Sequence, residues 1–122
     1  VTVQNYTLAL VQGSTYSASG SVSQGGVAYN LTGYTIAGKI RRKFSDSAAL
    51  QALTVTITDF PGGLFTVSLT AAETAALTLA ATASNVDERL QSIGVYDIEI
   101  TSGVTVIRIA QGTVTLSQEA TK

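Results

Sequence analysis

The sequence predicts an all-β domain, and three observations carry that expectation. Apolar and polar residues alternate over several short stretches. The clearest has Tyr96, Ile98 and Ile100 against Asp97 and Glu99, the period-2 pattern of a half-buried strand. Charged residues are only 12% of the chain, about half the usual share, so polar surface must come from Thr, Ser, Gln and Asn. Thr and Val, stiff at χ1, favour extended backbone. Gly-bearing turn signals recur at short intervals. With 122 residues and 45% apolar content, one domain over 1–122 with one core is expected.

The elements follow in order. Tyr6, Leu8 and Leu10 alternate with Thr7 and Ala9 as an opening strand, which Gln12-Gly13-Ser14 breaks. Tyr16, Ala18, Gly20 and Val22 share one face of the next, with Ser17, Ser19 and Ser21 on the other. Gln24-Gly25-Gly26 turns into a short segment at 27–29. Leu31-Thr32-Gly33-Tyr34 reads as a corner feeding a strand with Ile36, Gly38 and Ile40 inward and Lys39, Arg41 and Lys43 outward. Ser45-Asp46-Ser47 is placed to cap a helical turn over 48–53. Val55 and Ile57 mark another strand. Phe60-Pro61-Gly62-Gly63 is a turn, and Phe65, Val67 and Leu69 line the inner face of its partner. Thr70-Ala71-Ala72-Glu73 has capping-box spacing, predicting a short helix that ends near Leu77 or Leu79. Residues 78–93 give no clear pattern, and the charges of 85–89 suggest a solvent-facing loop or helical turn.

The last third should be a hairpin. A two-residue loop at Ser102-Gly103 pairs Ile98 with Ile107 and Tyr96 with Ile109 on the inner face, and Asp97 with Arg108 on the outer. The closing strand changes parity around 110–112, from Ile107 and Ile109 to Val114 and Leu116, as a β-bulge does. About seven strands and one or two short helical turns suit an immunoglobulin-like β-sandwich. The Cys and Trp markers of antibody domains are missing, so the likeness is architectural.

The composition excludes much chemistry. Without Cys there is no disulfide and no thiolate metal site. Without His the commonest metal ligand and the side chain best suited to proton transfer near neutral pH are gone. A formal charge of −1 gives no electrostatic case for nucleic acid or anionic membrane. No apolar run approaches the roughly 18 residues of a membrane span. Met is absent, so Val1 is expected to follow a removed initiator, and V-T-V-Q-N-Y shows no signal-peptide pattern.

Each candidate constellation has a structural alternative. Lys39, Arg41, Arg42 and Lys43 hold four of the seven basic residues. They suit phosphate contact, but with negative net charge and no interleaved aromatic they read as a solvated strand face. Arg42 falls on the inner side by alternation, where it either snorkels outward or crosses an interface. Asp97 and Glu99 are a carboxylate pair, yet Arg108 across the ladder opposes a raised pKa. Asp87 and Glu88 lack the oxygen-rich spacing of a Ca²⁺ loop. Serines have no His to activate them, which leaves only a Ser-Lys dyad formally open. The five tyrosines suit core packing better than a sugar platform. No catalytic, cofactor or metal residues are therefore assigned.

The ordered motifs Q-G-S-T, N-L-T-G-Y-T-I-A-G-K-I-R, L-F-T-V-S-L-T-A-A-E-T-A-A-L, V-Y-D-I-E-I-T and Q-G-T-V-T-L-S-Q-E-A-T span nearly the whole chain. They resemble a group of small virion proteins of tailed bacteriophages, including marine and cyanobacterial ones. The L-T-G-Y corner and the closing G-T-V-T-L-S strand also look like the N-terminal domain of phage baseplate upper proteins. The resemblance implies a non-enzymatic virion component without cofactors, an assembly adaptor at the baseplate or tail-fibre region. It would be multi-copy or homo-oligomeric and bind other virion proteins. A capsid decoration (cement) protein and a carbohydrate- or receptor-binding module are the alternatives. One departure is the longer 78–93 segment, expected to be a contact loop. It makes Asn85, Asp87, Glu88 and Arg89, with Arg42, the candidate partner contacts.

Overall fold

The computed structural model describes residues 3–78 and 90–119. They form strands β1 (Gln4–Asn5), β2 (Leu8–Val11), β3 (Tyr16–Ser21), β4 (Ser23–Gln24), β5 (Val27–Ala28) and β6 (Thr35–Arg41). Then come β7 (Gln51–Asp59), β8 (Leu64–Leu69), helix α1 (Ala71–Ala75), β9 (Leu90–Ser102) and β10 (Thr105–Ser117). The sheet runs β1-β10-β9-β6-β7-β8-β3, with β2 also paired to β10, while β4 and β5 form a separate ribbon. Both β1 and β2 lie parallel to β10, and every other pairing is antiparallel.

The sheet curls through β7. Residues 51–53 of β7 pair with β6, and residues 54–59 pair with β8. One strand thus belongs to both halves of a continuous sheet rather than to one layer of two. Strands β2, β6, β8 and β9 bury alternate side chains and, with β10, build one core that includes Leu10, Ile40, Leu69, Ile100, Val114 and Leu116. Burying that apolar area is the main favourable term in folding. The segment expected to turn helically over 48–53 instead enters β7, because Gln51, Ala52 and Leu53 complete the β6 ladder opposite Ile40, Lys39 and Gly38. Tertiary pairing overrides the local capping signal there.

Turn chemistry holds at most corners. Gly25 and Gly26 take positive φ in the β4–β5 ribbon. At the corner, Gly33 has φ 88 and the Tyr34 N–H donates to the Leu31 carbonyl at 3.0 Å. The fully buried Leu31 anchors this corner to the core. The α1 cap forms as its spacing predicts. The Glu73 N–H donates to Thr70 Oγ1 at 3.1 Å and the Thr70 N–H to Glu73 Oε1 at 2.8 Å. The helix is shorter than expected, ending at cap residue Ala76.

The β9–β10 hairpin has a different register from the one expected. Its loop is Gly103-Val104, with Ser102 opposite Thr105, Ile107 opposite Ile100 and Arg108 opposite Glu99. Gly103 supplies positive φ at the first loop position, and Val104 is fully exposed. The register then shifts between Arg108 and Ala110, setting Ala110 against Ile98 and Gln111 against Asp97. The bulge therefore comes just before the expected 110–112, and it leaves Ile109 and Ala110 buried side by side. A two-residue slip preserves faces, so the inward assignments of Ile98 and Ile109 stand while their partners change. Leu90 to Ile93, expected in a loop, are the first residues of β9.

Candidate functional site

A cleft of about 280 Å³ opens between the two ends of the curled sheet. Tyr6, Thr7 and Leu8 form one wall and Tyr16, Ala18, Ser19 and Gly20 of β3 the other. Phe65, Val67, Tyr96, Ile98 and Ala110 line the rest. The cleft exists because β3 presents small inward residues. The Phe65 ring lies over Gly20, its Cζ only 2.5 Å from where a Cβ would stand. The opposite wall depends on Gly112. There the chain between β1 and β2 crosses β10 so closely that the Tyr6 carbonyl occupies the space of a Cβ. The Tyr6 N–H donates to the Gln111 carbonyl at 3.1 Å. The Tyr96 hydroxyl donates to the Tyr6 carbonyl at 3.0 Å.

No charged side chain lines this cleft. Burial, with smaller contributions from Tyr16 and Tyr6, pushes the Tyr96 phenol up to about 12. Burial also raises Tyr16. Both phenols are therefore neutral at physiological pH, and the lining offers apolar contact and hydroxyl hydrogen bonds rather than acid–base chemistry. Among the described residues, no group of three or more His, Cys, Asp or Glu could hold a metal ion. No helix there is long and apolar enough to cross a membrane.

The candidate residues from the sequence lie elsewhere. Asp97 and Arg108 do meet, Nε to Oδ2 at 3.7 Å, but diagonally, since Gln111 stands opposite Asp97. Arg108 also donates to Gln111 Oε1 at 3.3 Å, and Gln111 Nε2 to Asn5 Oδ1 at 3.1 Å. With Lys39 opposite Asp97 on β6, these groups form a polar row across four strands of the outer face. Arg42 is a brace. Its Nη1 donates to the Ile93 carbonyl at 3.0 Å and its Nη2 to Thr78 Oγ1 at 3.1 Å. Arg41 Nε donates to the Asp46 carbonyl at 3.0 Å. The basic run is thus divided, with two guanidiniums holding nearby chain. Asn85, Asp87, Glu88 and Arg89 lie outside the described residues.

Two features escaped the sequence reading. The first is the cleft itself, whose tyrosines read as core. The signal was the shrinking of inward residues along β3 from Tyr16 to Ala18 to Gly20. The second is a polar knot beside the β2–β3 turn. Buried Thr74 donates to the Ser14 carbonyl at 2.8 Å and accepts from the Gly13 N–H at 3.1 Å. Gln12 Nε2 donates to the Leu77 carbonyl at 2.9 Å, and Gln12 Oε1 accepts from the Glu119 N–H at 3.0 Å. The knot fixes the β2–β3 turn against α1 and so holds the cleft's two walls at one end. No protein-family profile and no curated protein matches the chain significantly.

Proposed function

We propose that this chain is a non-enzymatic structural protein of a bacteriophage virion, an assembly adaptor at the baseplate or tail-fibre region acting through protein–protein contacts. The observation that carries the reading is the ordered resemblance along the chain. The L-T-G-Y motif forms a turn anchored by buried Leu31, and G-T-V-T-L-S lies in the closing strand. The character of the surfaces supports it as well. The cleft is uncharged, and charged residues are only 12% of the chain, which suits interfaces where few ions need desolvation. The reading includes an immunoglobulin-like sandwich of about seven strands. Its layers would be β3-β8-β7 and β7-β6-β9-β10, sharing β7. It also retains Asn85, Asp87, Glu88 and Arg89, with Arg42, as contacts, and it puts the chain in many copies with other virion proteins rather than with nucleic acid or membrane.

Quantitative mass spectrometry of purified particles tests it. Many copies per particle are expected, enriched in the tail fraction after heads and tails are separated. Enrichment in heads would favour capsid decoration instead, and absence from particles would reject the virion role.

A further inference from the structure

Among the described residues, strand β3 ends the sheet, paired on one side only, with β8. Natural edge strands are usually guarded by Lys, Pro, a bulge or a covering segment. The Y-S-A-S-G-S sequence of β3 has neither charge nor Pro, and its ladder with β8 runs without a register shift from Tyr16 to Ser21. Its outward Ser17, Ser19 and Ser21 are exposed. Beneath this edge lies the 280 Å³ cleft. The two features are adjacent, because Tyr16, Ala18 and Gly20 of the edge strand also form a wall of the cleft.

We propose that the β3 edge and the cleft together accept an extended strand from another polypeptide. That strand adds to the sheet beside β3 and plants one bulky apolar side chain in the cleft. The exposed edge defines the backbone of the occupant, since its free N–H and C=O groups are satisfied by an extended chain. The cleft defines the side chain. An apolar cavity of about 150 Å³ holds a benzene ring, whereas drug-sized ligands need roughly 300–1,000 Å³. A volume of 280 Å³ therefore fits a single Phe or Leu with its neighbours' methyl groups. The uncharged lining excludes Lys, Arg, Asp or Glu at the inward position, because an unpaired buried charge is strongly disfavoured. Tyr96 and Tyr16 supply aromatic surface for an edge-on ring. The occupant is thus a segment with alternating polar and apolar residues and an uncharged bulky residue at its centre. This inference stands apart from the virion reading, because it concerns the edge and cleft of the domain itself.

The test is amide exchange and aromatic-ring NMR of the purified chain titrated with the heptapeptide Thr-Val-Thr-Phe-Thr-Val-Thr and its central-Lys counterpart. The Phe peptide should saturably slow exchange of β3 amides that point away from β8. The slowing should reach about tenfold at about ten times its dissociation constant, and the Tyr16, Phe65 and Tyr96 ring signals should shift. The Lys peptide should do neither. Ala18→Phe, which fills the cleft from within, should abolish the response to the Phe peptide. If that variant does not fold, the Phe-versus-Lys comparison on the unaltered chain decides alone. Unchanged β3 exchange with the Phe peptide, or equal responses to the two peptides, would overturn the proposal.

Discussion

Replacing Gly112 by Ala should be among the most damaging single-methyl changes available to this domain. The added Cβ would overlap the Tyr6 carbonyl oxygen, with the Tyr6 carbonyl carbon at 2.8 Å and the Tyr96 ring at 3.3 Å. The obstacle is backbone, so no side chain can swing aside and the crossing segment must lift off β10. Lifting it breaks the Tyr6 N–H bond to Gln111 and the Tyr96 hydroxyl bond to Tyr6. Two hydrogen bonds are worth about 1–3 kcal/mol together, and overpacking adds about 1–3 kcal/mol. The expected loss is therefore about 2–6 kcal/mol, a large share of the roughly 5–15 kcal/mol of a typical domain. Urea denaturation followed by circular dichroism measures it. Gly103→Ala is the control. Nothing lies within 4 Å of its Cβ position and only the positive φ of 58 opposes the change, so it should cost about 1–2 kcal/mol. If Gly112→Ala unfolded within about 0.5 kcal/mol of the parent, the close crossing at Tyr6 would be refuted, and with it the construction of the cleft wall.

Other outcomes follow from the same geometry. Ile98→Ala, at a core position opposite Ala110, should cost about 2–5 kcal/mol through lost burial and a cavity, read from the denaturation midpoint. Thr70→Ala removes the acceptor for the Glu73 N–H and should cost about 1 kcal/mol; an unchanged midpoint would show that the cap contributes nothing. Tyr96→Phe should lower stability at neutral pH by about 0.5–1.5 kcal/mol, one hydrogen bond. In the parent, the neutral Tyr96 phenol contributes stability that is complete below its ordinary value of 10.0 and is lost as pH rises toward about 12. The Phe variant lacks that loss, so the gap between the two proteins should narrow between those pH values in denaturation curves.

Faces were legible in the sequence, and partners were less so. Alternation alone put Leu8, Leu10, Phe65, Val67, Leu69, Ile98 and Ile100 inward, because burial on one face is written directly into period-2 spacing. The Thr70 cap was legible because it is local, needing only residues three apart. The hairpin register was not. Ser102-Gly103 and Gly103-Val104 are both acceptable loops that give the same inward set, and the opposite charges of Asp97 and Arg108 pulled the reading to the wrong one. A diagonal pair at 3.7 Å satisfies those charges equally well. The 48–53 stretch misled for the opposite reason: its local signal was helical, and only pairing with β6 made residues 51–53 strand. The cleft was hidden because tyrosines lining a gap and tyrosines filling a core have the same spacing. Arg42 was flagged by its parity, but its role as a brace to Ile93 and Thr78 depends on contacts 51 and 36 residues away.

The central proposal is that this chain works by holding other proteins in a phage particle. A cryo-EM reconstruction of the particle tests it most directly. The account predicts repeated copies of this β domain at the baseplate or tail fibres, each seated against neighbouring protein chains. A complete reconstruction without density for the domain would contradict it.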